Sequence, residues 1–211
     1  MIKVNYEGAI KDFVDAYDKV DHDLWNGTAG PILAVRKYIR DHYLIQQGYR
    51  CAYCKIEKKE EHGYTWDIEH ILAKSIYPEF LFYPENLAIA CKECNNPKDD
   101  HDILVGVRSV SYPRGVGRYK IIHPHFDVYE DHIEVAVVDG RRIYRVLNNG
   151  KGKATYALCN LSRFDYKYAG WDSFDSAMVA EFSRFLDNCP ADANPAEIKR
   201  MLGHLSFVER H

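Results

Sequence analysis

The chain has 211 residues, of which 46% are hydrophobic and 28% charged, and its formal net charge is −3. That balance excludes wholesale disorder and a protein that coats nucleic acid through bulk charge. The longest apolar runs, Val135 to Val138 and Leu87 to Ala90, fall far short of the ~20 residues a membrane helix needs. No membrane contact is therefore expected, and Met1 to Glu7 lacks the apolar core of a secretory signal, which predicts a cytoplasmic protein.

In chain order, Ile10, Phe13, Val14 and Tyr17 recur at helical spacing within 6–20. A turn follows at Asn26 to Pro31. Ile32, Val35, Ile39, Tyr43 and Leu44 predict a second helix over 32–46, ended by Gly48. Cys51 to Cys54 reads as a tight loop, 65–71 as a strand, and the stretch to Pro84 as a loop. A short strand at 87–90 leads into a helix expected over 91–102. Strand-like runs follow at 119–122, 133–138 and 142–147, with Asp139-Gly140 a hairpin turn between the last two. Helices close the chain; Phe174, Met178, Phe182, Phe185 and Leu186 mark a buried face on one, and Asn194-Pro195 caps the last. The expected fold class is α+β. It forms a single globular unit in three parts: N-terminal helices over 1–48, a core over 49–105, and an α+β extension over 106–211.

Charge is segregated along the chain. Arg108, Arg114, Arg118 and Lys120 lie in a stretch free of acids, as do Arg141, Arg142, Arg145, Lys151 and Lys153, whereas the last forty residues lean acidic. Each basic run reads as a solvated face or as a track guiding a nucleic-acid strand. Gly150 to Thr155 imitates a phosphate loop, but the glycine required before its Gly-Lys is missing and neither Lys precedes Ser or Thr.

Six cysteines are present: Cys51, Cys54, Cys91, Cys94, Cys159 and Cys189. The first four form two C-x2-C pairs. Each such loop can aim both sulfurs at one point, and two complete a tetrahedron, so the pattern predicts one Zn2+. Four thiolates leave no open position, which makes that zinc structural. Cys159 and Cys189 read as small buried apolar residues.

Between the pairs lies Asp67-Ile68-Glu69-His70, followed by Asn86, then Asn95 directly after Cys94, and Lys98. Here the chain resembles the HNH nucleases, the ββα-metal family, and in particular its zinc-containing branch. The resemblance implies a ββα-metal core in which His70 is the general base, Glu69 and Asn95 hold a catalytic Mg2+ or Mn2+, and Asn86 braces the loop that orients His70. Neutral imidazole near pH 7 and oxygen ligands for a hard cation suit those tasks. Asp67 is the competing acid ligand, ranked behind Glu69, and Lys98, one turn after Asn95, is placed to meet a phosphate oxygen.

The resemblance reaches further. Gln47 to Cys54, Ile122-His123-Pro124, Phe126, Lys153-Ala154-Thr155 and Leu158 to Leu161 look like the retron- and Septu-associated HNH endonucleases of bacterial anti-phage defence. It implies an effector nuclease working beside an ATPase partner. The expected substrate is DNA, with RNA the other polymer this chemistry accepts. The competing reading is a zinc-containing nucleic-acid or protein binding module that has lost catalysis; intact Glu69, His70 and Asn95 favour the enzyme.

Overall fold

A computed structural model describes residues 1–61, 63–138 and 141–169. Its helices are α1 (Gly8–Asp15), α2 (Gly30–Gln46), α3 (Lys92–Lys98), α4 (Lys151–Leu158) and α5 (Ser162–Ala169). Its strands are β1 (Trp66–His70), β2 (Leu87–Cys91), β3 (Ile133–Val138) and β4 (Arg141–Val146). The mixed helical and antiparallel architecture is the expected α+β class.

Helix α2 forms where its sequence dictates. Pro31 stands in the first turn, where its missing N–H costs nothing. Ile32, Val35, Ile39 and Tyr43 then make one buried stripe. Gly48, at φ +56°, lets the chain leave the helix. Helix α1 is shorter than its periodicity predicts, because the Asp18 carboxylate accepts from the N–H groups of Val20 and Asp21 and turns the chain aside.

β1 and β2 pair antiparallel, with Asp67 opposite Ala90 and His70 opposite Leu87. All of β2 is buried, as is β1 apart from Asp67, so this hairpin is the centre of the core. Helix α3 follows β2 without a loop and packs on both strands. It ends at Lys98, short of the expected 102. The Asp99 N–H still donates to Asn95 O at 2.8 Å, but Asp99 itself takes φ +40° and turns the chain out of the helix.

The β3–β4 hairpin has the expected register, Ile133 opposite Val146; its turn, Asp139-Gly140, lies outside the described residues. The expected strand at 119–122 is replaced by a single bridge, Leu104 to Tyr119. Lys120 N–H still reaches Ile103 O, but the Ile122 N–H is taken by the Thr155 hydroxyl of α4, and pairing stops there. The expected closing helices beyond 169, with their apolar face at Phe174 to Leu186, the Asn194-Pro195 cap and Cys189, also lie outside the described residues.

Buried contacts cross both boundaries drawn from the sequence. The Tyr43 hydroxyl of α2 donates to Pro84 O. From the other side, Tyr129 donates to Tyr53 O and Tyr144 to Cys54 O, so the extension grips the first C-x2-C loop by its backbone. No helix among the described residues is long and apolar enough to cross a membrane.

Candidate functional site

Cys51 and Cys54 lie on the loop that precedes β1, Cys91 ends β2, and Cys94 sits in the first turn of α3. All four side chains are buried, and their sulfurs lie within 4.8 Å of one another. Cys54 Sγ and Cys91 Sγ are 3.7 Å apart. That is far beyond a disulfide bond and close to the ~3.8 Å edge of a tetrahedron with Zn–S bonds of about 2.3 Å. The donor set fits one zinc ion with no open position. Two donors support the sulfurs from outside: the Cys91 N–H reaches Cys51 Sγ at 3.3 Å, and Arg163 of α5 reaches Cys94 Sγ at 3.1 Å. A guanidinium here offsets the negative charge of a four-thiolate site.

Beside this cluster opens a cleft of about 510 Å³ between β1, α3 and the N-terminal helical part. His70, Asp67, Glu69 and Asn95 all line it. His70 ends β1 and is 8% exposed. Its Nε2 lies 3.0 Å from Leu81 O. A carbonyl only accepts, so Nε2 carries the proton and Nδ1 is left with its lone pair. The ring of Trp25 meets the imidazole edge to face, with centroids 4.4 Å apart. Burial, reinforced by the charge of Lys74, pushes the His70 pKa down to about 3, so the ring is neutral near pH 7.

The two acids of β1 differ. They are two residues apart and therefore face α3 together. Asp67 is partly exposed, accepts from Asn95 Nδ2 at 3.1 Å, and pairs with Lys92 at 2.6 Å. Glu69 is buried. It pairs with Lys98 at 2.7 Å and accepts from the Tyr53 hydroxyl at 2.8 Å. Burial nonetheless raises its carboxyl pKa, against the pull of Lys98 and Tyr53. Asn95 thus meets Asp67, whereas the sequence reading pairs Asn95 with Glu69.

Lys98 is fully buried and also donates to His70 O at 3.2 Å. It follows the buried Cys94 by four residues and so lies on the same inward face of α3, which corrects the expected contact with a phosphate oxygen. Asn86 is also buried, away from the cleft. Its carboxamide accepts from Leu72 N–H at 2.7 Å and donates to Leu72 O and Phe80 O, both at 3.1 Å, which ties together the loop that follows His70.

Many cations of the basic runs singled out in the sequence have partners within the chain, several of them in exposed surface pairs. Arg108 pairs with Glu79, Arg114 with Glu85, Arg145 with Glu134 and Lys151 with Asp127. Arg118 and Lys120 donate to backbone carbonyls. The cations that line the cleft are instead Arg36 and Arg40 of α2 and Lys74. Sequence reasoning missed them. Their signal was available, since Arg36 and Arg40 are one helical turn apart and flank the stripe of Val35 and Ile39.

The family model for HNH endonuclease matches residues 51–101, the span from the first zinc cysteine to just beyond α3. Over this segment the chain is similar to HNH endonucleases. Beyond it, the chain is 30% identical over 132 residues to Septu protein PtuB of Bacillus thuringiensis, covering 62% of this chain and 43% of that protein. It is 36% identical over 55 residues to protein ea31 of Escherichia phage lambda, covering 26% of this chain and 17% of that protein. The chain spans less than half the length of these curated relatives. No solved structure matches it significantly.

Proposed function

We propose that this chain is a metal-dependent endonuclease that hydrolyses phosphodiester bonds, with DNA as the first substrate to consider. The observation that carries this reading is His70: a buried imidazole fixed by the Leu81 carbonyl so that its lone pair remains on Nδ1, in the same cleft as Asp67 and Asn95.

Asp67 and Asn95 would hold the divalent cation. They offer a carboxylate and a carboxamide side by side at a partly exposed position, and Mg2+ or Mn2+ accepts such oxygen donors with few protein ligands, keeping waters and substrate phosphate as the rest. Among the described residues no second group of three or more His, Cys, Asp or Glu side chains converges as the cysteines do, which suits an ion completed by substrate. When bound, the cation neutralises charge on the phosphate and the leaving oxygen.

The chain's own residues do the rest. His70 Nδ1 takes the proton from a water as its oxygen bonds to phosphorus, and the bond from phosphorus to the leaving oxygen breaks. The Leu81 carbonyl stabilises the imidazolium that results. Trp25 and the Asn86 brace hold the ring at its angle. Glu69 acts as a buttress: clamped by Lys98 and Tyr53, it fixes the strand end and α3 against each other, and Lys98 in turn holds the His70 carbonyl.

In this reading the nuclease is the effector of a bacterial anti-phage system and works with an ATPase partner. The similarity to Septu protein PtuB supports that placement, and a net charge of −3 favours a partner that brings substrate to the cleft. The test of the activity is parallel incubation of the zinc-loaded chain with supercoiled plasmid and with a structured RNA, each with Mn2+, with Mg2+, or with neither. Metal-dependent nicking supports the nuclease. Binding without cleavage of either polymer would instead support a catalytically inactive zinc-containing module.

A further inference from the structure

Among the described arginines, Arg40 is the one whose side chain carries a buried nitrogen without a partner. Arg36, Arg108, Arg114, Arg118, Arg145 and Arg163 each donate to a carboxylate, a carbonyl or a thiolate of the chain. Arg40 has no hydrogen-bond or ion-pair partner among the described residues, and its Nε is buried without one. A buried donor left unpaired costs free energy, and such a group calls for a ligand or another explanation. The side chain lines the cleft that holds His70, Asp67 and Asn95. Gly63 helps keep it there: a Cβ at that position would stand 3.2 Å from Arg40 Nη2.

Arg36, one turn earlier on α2, shows by contrast what a structural arginine does at this site. Its Nη1 donates to Trp25 O at 2.9 Å and so fixes the residue whose ring packs on His70. Lys92, the nearest cation on α3, is already paired with Asp67. Resting on the nuclease reading above, we infer that Arg40 binds the substrate's phosphodiester. Its guanidinium fork takes up the non-bridging oxygens of a backbone phosphate in the cleft and leads the scissile group toward His70. Guanidinium suits this role because its planar fork matches two phosphate oxygens at once and carries its charge at every working pH. A phosphate contact of this kind positions the strand and reads no sequence. The N-terminal helical part is thereby a component of the active site.

The test uses the full zinc-loaded chain. Binding is read by fluorescence anisotropy on a fluorescein-labelled 20-base-pair duplex, in the His70→Ala background without added Mg2+ or Mn2+, across a series of salt concentrations. Arg40→Met keeps the aliphatic stem and removes the fork. The expected result is weaker binding to every sequence, with the slope of log K against log salt shallower by about 1. In the otherwise wild-type chain, Arg40→Met should lower Mn2+-supported cleavage about 100-fold. Arg40→Lys should restore the slope while recovering only part of the cleavage. Arg145→Met, on the exposed β3–β4 hairpin, should change neither.

Wild-type affinity and slope in Arg40→Met, at unchanged zinc content and melting temperature, would overturn the inference. A wild-type chain that cleaves, beside an Arg40→Met variant that cleaves equally well, would overturn it while leaving the nuclease reading intact. A wild-type chain that binds duplex but never cleaves would defeat the nuclease reading, with the salt slope still deciding Arg40. Absence of any nucleic-acid binding would overturn both.

Discussion

Lys98 and Glu69 form an ion pair of 2.7 Å with side chains 0% and 3% exposed, Glu69 at the wall of the cleft and Lys98 behind it. Desolvation outweighs the attraction, as the raised pKa of Glu69 shows, so the pair stabilises little on its own and serves to fix position. Removing one partner leaves the other buried and uncompensated. Lys98→Met and Glu69→Gln should each destabilise the fold by about 3–5 kcal/mol, and the double variant should lose much less than the sum of the two. Urea denaturation of zinc-loaded protein measures all three; strictly additive losses would show that the residues act independently.

Asp67 and Glu69 should separate cleanly in function. Asp67→Ala and Asn95→Ala should keep the fold and zinc content while raising the Mn2+ concentration needed for half-maximal cleavage by tenfold or more, an effect of about 1.4 kcal/mol per tenfold. Glu69→Ala should fail chiefly through stability. A metal titration of cleavage alongside thermal melting tells the two apart. If Glu69→Ala alone shifted the metal requirement, the cation would belong to Glu69.

The cysteine cluster should carry one equivalent of zinc, and its loss should unfold the region that β1, β2 and α3 share. Cys94→Ser should therefore lower both zinc content and melting temperature. Arg163→Met should leave one zinc in place but release it faster to a chelator, because Arg163 supports Cys94 from outside the sphere of ligands. Elemental analysis and the rate of metal transfer to a chromogenic chelator measure these effects.

Acid should destabilise the protein through buried histidines. Burial, with help from the charges of His125 and Lys151, holds the His123 pKa well below its ordinary value. The ring is locked between the His125 N–H on Nδ1 and the Tyr112 hydroxyl on Nε2. The unfolded chain takes up a proton near pH 6.5 that the folded one refuses. The contribution of His123 is thus fully present above that pH and falls away below it, by about 1.4 kcal/mol per pH unit. His123→Gln should flatten the fall in stability between pH 6.5 and 5.5 by one proton's worth, as read by urea midpoints at each pH. An unchanged slope would mean that His123 takes up its proton in the folded chain.

Much of this site was legible in the sequence because its signals are local. Two C-x2-C pairs, the acid-His end of β1, and Asn95 directly after Cys94 stand out by spacing alone, and the structure gathers the cysteines in one cluster and the other residues in one cleft; the apolar stripe of α2 and the register of the β3–β4 hairpin follow from periodicity. The burial of Glu69 was beyond it. That burial depends on Lys98 and Tyr53, which reach Glu69 from 29 and 16 residues away, and no spacing rule contains them. The basic runs misled for the same reason. Glu79, Glu85 and Glu134 neutralise them across the fold, while the cations of the cleft come from α2, a helix whose pattern speaks first of its buried face.

We propose that His70 performs metal-supported phosphodiester cleavage in this cleft. It is tested most directly by assaying the wild-type and His70→Ala chains, each verified to hold one zinc and to melt cooperatively, on supercoiled plasmid with and without Mn2+. The account predicts nicking by the wild type only when Mn2+ is added, and a loss of at least 100-fold in His70→Ala with the zinc retained. Equal cleavage by the two chains, or cleavage by the wild type that persists without added metal, would contradict it.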